Sequence, residues 1–169
     1  RLVIMNTAAF LPPEDKKLPL RLWIVRNIRW LAAPAVLGLN IFSIGALYMA
    51  SHKGLSRAVK SGMKAPYNSW RNRIATLKFV QDIPLSDKDP SYALVRSVDS
   101  NLNRLADIPM LICWGKHDFV FDDTYLAQWQ QRFPDADVHL FDDAGHFILE
   151  DKPEAVASLV KDFLKKHQG

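Results

Sequence analysis

His146 and Asp118 are the residues whose types and surroundings could do chemistry. Val138-His-Leu-Phe-Asp-Asp-Ala-Gly-His146 reads as a short apolar strand running into a tight turn that ends in histidine. A histidine just past a strand end is held by backbone yet open to a cavity, as a general base must be. Gly145 lets the turn approach its neighbours closely, and Asp142-Asp143 supply turn-forming side chains. Upstream, Met110-Leu-Ile-Cys-Trp-Gly-Lys-His-Asp118 repeats the arrangement and delivers a carboxylate. An acid and then a histidine, each beyond a strand, form the orienting and proton-accepting part of a nucleophile–acid–base triad. There the acid sets the imidazole tautomer and stabilises the imidazolium that forms. No nucleophile on a strand-to-helix elbow accompanies them in this sequence.

The remaining chemistry-bearing residues form no second constellation. His117 adjoins the acid and is expected to point away from it, while His52, His139 and His167 have no partner group in sequence. Asp142, Asp143, Glu150 and Asp151 lack the grouped spacing of a metal site, and no His/Cys ligand pattern exists. Cys113, the single cysteine, lies between Ile112 and Trp114 inside a strand, where a buried structural thiol is expected rather than a nucleophile.

The acid and the base need a framework. Residues 2–6 read as a short buried strand, and Pro12-Pro13 stops any regular element. After Pro109, strands over 110–114 and 137–141 alternate with helices over 122–133 and 153–167. Leu126, Trp129 and Phe133 share a face of the first helix, which Asp122 or Asp123 is placed to cap. The second carries Pro153 in its first turn and Lys165, Lys166 and His167 near its C-terminus. Strands alternating with helices predict a parallel sheet. Three strands are few for a parallel sheet covered on both faces. Arg1-Leu-Val-Ile-Met-Asn6 has no initiator Met and opens inside an apolar run, so the chain reads as the C-terminal part of a longer protein.

Residues 12–105 read as a helical insertion. A basic amphipathic helix is expected over 19–31, with Leu20, Trp23, Ile24 and Ile28 on one side and Arg21, Arg26 and Arg29 elsewhere. Shorter helices are expected over 54–62, after an Asn68 or Ser69 cap, and over 91–104. Leu31 to Ala50 carries no formal charge over twenty residues, long enough to span a bilayer. Pro34, Gly38, Asn40, Ser43 and Gly45 make it read first as a buried or cavity-lining helix pair broken near Pro34. A helix on a membrane surface comes second and a membrane span last. Residues 12–104 hold 15 Lys/Arg against 6 Asp/Glu, and the rest of the chain 7 against 12. Such a patch either attracts anions, acidic partners or an anionic membrane, or is a solvated helical face. No nucleic-acid-reading motif accompanies it, so nucleic acid is not expected as a partner.

Trp114-Gly-Lys-His-Asp118, Phe133-Pro-Asp-Ala136, Asp143-Ala-Gly-His146 and Leu149-Glu-Asp-Lys-Pro-Glu154 resemble the C-terminal catalytic segment of α/β-hydrolases of the haloalkane dehalogenase group. Met5-Asn-Thr-Ala-Ala-Phe10, Ala65-Pro-Tyr-Asn-Ser-Trp70, Asn72-Arg-Ile74 and Phe79-Val-Gln-Asp-Ile-Pro84 are similar to the cap region of dehalogenase-like β-lactone decarboxylases of bacterial long-chain olefin biosynthesis. The resemblance implies an α/β fold, the C-terminal part of an α/β-hydrolase. Residues 1–11 would be a core strand, 12–105 a helical cap and 106–169 the rest of the core. It implies Asp118 as triad acid and His146 as base, with an aspartate nucleophile in a missing N-terminal half. That aspartate would form a covalent ester with a hydrophobic β-lactone or haloalkane, and His146 would activate water for its hydrolysis. In the olefin case the lactone loses carbon dioxide and becomes an alkene.

No cofactor is expected, and the residue spacing calls for no metal. The uncharged Leu31–Ala50 run would suit a long alkyl chain, with Trp23, Trp30 and Trp70 either lining its pocket or packing between helices. Expected partners are the hydrophobic substrate, the missing half, and other olefin-pathway enzymes or a membrane surface. A cytoplasmic protein is expected, free or membrane-associated. Two alternatives stand beside this reading. One is an ester or epoxide hydrolase on the same fold; the other is a non-catalytic docking module acting through its basic, apolar cap.

Overall fold

The computed structural model describes residues 1–13 and 16–168. Strands β1 (Leu2–Met5), β2 (Met110–Gly115) and β3 (Asp137–Phe141) form one parallel sheet in the order β1-β2-β3. Met5 pairs with Cys113, and Cys113 with His139, so all three strands deliver their C-terminal ends to one edge. That edge is where open parallel sheets place their ligands.

Between β1 and β2 the chain forms α1 (Leu20–Asn27), α2 (Arg29–Ala32), α3 (Ile41–Met49), α4 (Arg57–Lys64), α5 (Ile74–Gln81) and α6 (Tyr92–Asn101). The core adds α7 (Asp123–Arg132), α8 (Ile148–Asp151) and α9 (Pro153–Lys166). β2 is central, and every one of its residues is buried. Its side chains alternate between two layers, as a period of two requires. Met110, Ile112 and Trp114 pack with Leu126, Trp129 and Phe133 of α7, which the apolar face of that helix foreshadows. Leu111 and Cys113 face the other way, onto Ile148 of α8 and Val156 and Phe163 of α9. Asp122 caps α7 through a hydrogen bond from the Thr124 amide.

The insertion has an apolar cluster of its own, built from Val25, Ala32, Val36, Leu37, Leu77 and Val80. The uncharged run departs from expectation in its break. Pro34 lies within the continuous limb Arg29–Gly38, which runs through it as a π-helical segment, Ala33–Gly38, rather than breaking there. The chain instead turns at Asn40, whose φ of 55° is a left-handed conformation that asparagine tolerates. The two limbs, Arg29–Gly38 and Ile41–Met49, meet at 75°, and among the described residues no single helix is long and apolar enough to cross a membrane. The helix expected over 19–31 is two, α1 and α2, divided at Ile28, whose φ of −97° and ψ of 72° leave the helical region; the remaining boundary shifts are small. Ser56 caps α4, so the helix expected from 54 begins at Arg57. Ser69 Oγ accepts from the Asn72 amide at 3.3 Å, but the N-cap of the 3-10 turn Arg71–Arg73 leading into α5 is Trp70. The short α8, which the sequence did not suggest, fills the gap between His146 and α9.

Candidate active site

β2 ends at Gly115, and the chain must turn there without touching the loop that leaves β3. A Cβ on Gly115 would stand 2.3 Å from the Gly145 carbonyl and 2.8 Å from that of Ala144, so only glycine fits. The two loops are also bonded, Lys116 N–H to Phe141 at 3.0 Å and His117 N–H to Ala144 at 2.9 Å. This backbone-to-backbone contact sets the distance between the side chains that follow.

Asp118 and His146 meet across it. Asp118 Oδ2 lies 2.7 Å from His146 Nδ1, and the carboxylate side chain is 0 % exposed. Its other oxygen, Oδ1, accepts the amides of Val120 at 2.7 Å and Phe121 at 3.0 Å. Oδ2 also accepts from Asn6 Nδ2 at 2.7 Å. Four donors therefore surround a fully buried carboxylate, the condition under which burial of that charge is tolerated. With Nδ1 committed to Asp118, Nε2 is the nitrogen left to face substrate. The imidazole lies between the rings of Phe121 and Phe147, at centroid distances of 5.9 and 5.8 Å.

His146 forms part of the wall of a cavity of about 700 Å³. Small-molecule sites occupy about 300–1,000 Å³, so the space suits a single ligand of lipid size. Leu22, Ile24 and Val25 of α1 line it together with Phe42, Ala46 and Leu47 of α3. Phe119, Val120 and Phe147 close it from the core side, and Arg21, Ser43, Tyr67 and Thr76 are its other polar neighbours.

The turn carrying His146 is tied to the insertion by Asp151. This buried carboxylate accepts from Ser51 Oγ at 2.6 Å and from the amides of Gly145, His52 and Lys53 at 2.7, 2.9 and 3.1 Å. Burial opposes its charge, but the Ser51 hydroxyl and these three amides hold its carboxyl below the usual carboxylate range. The Phe147 amide completes the joint on the Ala50 carbonyl at 2.8 Å. Elsewhere, burial and then the charge of Asp137 push the Cys113 thiol up to about 11, which removes it as a nucleophile. Among the described residues no group of three or more His, Cys, Asp or Glu side chains could hold a metal ion.

A family model for the alpha/beta hydrolase fold matches residues 8–153. The chain belongs to the alpha/beta hydrolase fold family. Two similar proteins are cis-3-alkyl-4-alkyloxetan-2-one decarboxylases. That of Shewanella oneidensis is 47 % identical over 165 residues, covering 97 % of this chain and 52 % of the relative. That of Xanthomonas campestris pv. campestris is 40 % identical over 167 residues, covering 99 % of this chain and 55 % of the relative. This α/β-hydrolase chain thus spans about half the length of the curated relatives it matches. Among solved structures it resembles a putative ancestral haloalkane dehalogenase, with a TM-score of 0.82 and 20 % identity over 98 % of this chain and 59 % of that one. A haloalkane dehalogenase from Bradyrhizobium elkanii gives a TM-score of 0.79 at 18 % identity, over 98 % and 60 % of the two chains. The structural likenesses are evidence of fold.

Within this α/β-hydrolase the three tryptophans considered for the pocket stand apart from His146. Trp23 belongs to a separate groove with Lys16, Lys17, Leu18, Leu20 and Leu85. It sits two residues, roughly 200° of helix, from the inward-facing Val25. Trp30 is 80 % exposed, and Trp70, which lies over Gly38, is 54 % exposed. None of them lines the cavity beside His146, whose walls are aliphatic and phenyl side chains instead. His117 turns away from Asp118, as expected, and stacks on His52 at 4.1 Å. Two residues escaped sequence reasoning. Asn6 signalled itself only as an asparagine at a strand end, and Asp151 only as one of two adjacent acids, with Glu150, after an apolar stretch.

Proposed function

We propose that the whole protein is a hydrolase-fold enzyme that opens a hydrophobic β-lactone and releases an alkene and carbon dioxide. The observation that carries this reading is the Asp118–His146 pair, with His146 in the wall of a cavity built largely from hydrocarbon and the buried Asp118 behind it. Asp118 holds His146 with Nδ1–H donating, which leaves Nε2 to take a proton at the reacting centre. The nucleophile, an aspartate by resemblance, comes from outside these 169 residues. Residues 12–105 act as the cap, and the α1–α3 wall receives an alkyl chain. The cis-3-alkyl-4-alkyloxetan-2-one decarboxylases, similar over nearly all of this chain, support the lactone.

The dehalogenase-like structures support a rival within the same chemistry. There an aspartate displaces halide from a haloalkane, and water activated by His146 cleaves the resulting ester to alcohol and free aspartate. Incubating the full-length protein with a long-chain cis-β-lactone and, separately, with a 1-haloalkane separates the two. Alkene without halide is expected, and its loss in His146→Ala. Halide without alkene would replace the lactone reading, and neither product would end both.

A second reading concerns where the enzyme works. Trp30 of α2 and Phe79 of α5 are 80 % and 79 % exposed, each next to an exposed basic residue, Arg29 and Lys78, a pairing of residue types that membrane interfaces favour. Arg26, by contrast, is committed to Asp89 and the Ile83 carbonyl. Sedimentation of the full-length protein with anionic vesicles is expected, and its loss in Arg29→Ser/Trp30→Ser/Lys78→Ser/Phe79→Ser. Sedimentation unchanged by these substitutions would remove this surface from consideration.

A further inference from the structure

We propose that Asn6 is a positioning residue of the catalytic pair, holding Asp118 in its orientation toward His146 and sharing its negative charge. This inference rests on the reaction proposed above, because it assigns a role inside the same site. Asn6 follows the last residue of β1, is 5 % exposed, and adopts a left-handed φ of 38°. That conformation turns its side chain out of the strand ladder and across to the end of β2, one strand away.

Its amide has one possible orientation. Oδ1 accepts the Gly115 N–H at 2.9 Å, while Nδ2 lies 3.4 Å from the Gly115 carbonyl. Gly115 thereby clamps both ends of the carboxamide, and Nδ2 must aim its remaining hydrogen at Asp118 Oδ2, 2.7 Å away. This is the oxygen that also faces His146 Nδ1 at 2.7 Å. Two effects follow. Rotation of the carboxylate about its Cβ–Cγ bond would break the Asn6 bond as well as both amide bonds to Oδ1, so the oxygen facing the imidazole is fixed. A neutral donor on Oδ2 also draws off part of the charge that attracts a protonated imidazole, which favours the neutral, proton-accepting ring. Among the described residues, the titratable and charged groups on the elements around that turn include Arg21 in the same cavity wall, Asp151, which holds the turn, His117 with its stacked partner His52, and Asp143 paired with Lys53 and Lys152.

The discriminating variant is Asn6→Asp. It preserves shape and the acceptor for the Gly115 amide, but replaces the donor facing Asp118 with a second carboxyl oxygen. Two carboxyls at that distance share a proton or repel. Asn6→Leu removes donor and acceptor together at similar volume. In the full-length enzyme both should lower kcat with the long-chain lactone by about tenfold to a hundredfold, with KM within about twofold. The acid limb of the kcat/KM profile should move upward in Asn6→Leu, because Asp118 Oδ2 loses the neutral donor that shares its charge. A purely structural asparagine would lower the melting temperature and leave that limb in place.

Circular dichroism first establishes that each variant folds, and ¹⁵N-detected titration of the His146 ring in the wild type and both variants gives a readout independent of turnover. Folded variants with unchanged kcat, acid limb and ring titration would overturn the assignment. A wild type that turns over neither lactone nor haloalkane would instead overturn the proposed reaction. In that case a displaced ring titration in Asn6→Leu still supports the role of Asn6 toward Asp118 and His146, and an unchanged one removes it.

Discussion

The carboxylate of Asp151 and the hydroxyl of Ser51 meet at 2.6 Å, joining the turn that carries His146 to the residue that follows Ala50 of the cavity wall. Asp151 accepts four hydrogen bonds while 4 % exposed, so its charge is stabilised by donors drawn from both halves of the structure. Replacing it with asparagine puts an NH₂ where donors converge. Asp151→Asn should destabilise folding by about 2–4 kcal/mol.

The same carboxyl makes a signed prediction about pH. Its folded pKa lies below the unfolded value of about 3.9, so its contribution is fully present above pH 4–5 and disappears as pH falls through the folded value. Urea melts should therefore show wild type and Asp151→Asn well separated at pH 7 and converging towards pH 2. A gap independent of pH would mean that shape, not charge, is what Asp151 contributes.

Gly115 and Gly145 give a second prediction, of steric origin. A methyl group on Gly115 meets carbonyl oxygen at 2.3 Å, and one on Gly145 meets the Ala50 carbonyl at 2.8 Å. Backbone cannot move aside as a flexible side chain does. Gly115→Ala should cost about 1–3 kcal/mol of stability and, by separating Asp118 from His146, reduce turnover by about a hundredfold. Gly62→Ala, which meets nothing within 4 Å and lies on the exposed side of α4, is the steric control; it should leave turnover unchanged and raise stability by about 0.5–1 kcal/mol through helix propensity. Equal behaviour of the two variants would show that the loops yield more easily than their packing indicates.

What could be read in the sequence follows the range of the interactions. β2, β3, α7 and α9 were legible because period-two and period-3.6 apolar patterns are local, and so were Asp118 and His146, since each is delivered by a strand end. Asn6 and Asp151 were not. Asn6 meets its partners 109 and 112 residues away, and Asp151 meets Ser51 100 residues away, distances at which spacing carries no signal. Pro34 misled because the limb Arg29–Gly38 runs through it as a π-helical segment, whereas Asn40 breaks the run through a backbone conformation that its type permits without demanding. The tryptophans misled because size marks them as core, while their angular positions face them outward.

Small residues on α3 set the width of the cavity, which makes chain length adjustable. Ala46 lines it opposite the α1 wall, and Ser43 and Gly45 flank the same space. Ala46→Phe fills volume without touching Asp118 or His146. Each displaced methylene is worth about 1–3 kcal/mol of discrimination, so kcat/KM for a long-chain lactone should fall by at least about tenfold. A short-chain lactone should be affected less than about threefold, the change residing in KM. Parallel losses on both substrates would place the alkyl chain elsewhere.

The last prediction isolates the acid. Asp118→Asn preserves volume and can keep the Val120 and Phe121 amides on Oδ1, 2.7 and 3.0 Å away in the wild type. Its new NH₂ then faces two donors, Asn6 Nδ2 and His146 Nδ1, each 2.7 Å from the replaced oxygen. To avoid donor meeting donor, the imidazole must give up its Nδ1 proton and carry it on Nε2, the nitrogen that has to accept one. The wrong tautomer of a catalytic histidine costs about 10⁴ in kcat in the analogous Ser-His-Asp system. Turnover by full-length Asp118→Asn should fall by about 10³–10⁴ at neutral pH, while substrate binding, measured by lactone displacement of a fluorescent fatty probe, stays within about threefold. Recovery of rate at high pH would fit the tautomer argument, since hydroxide can then replace the base. Loss of binding together with rate would point to collapse of the cavity wall at Phe119 and Val120, the residues that follow Asp118 into that wall.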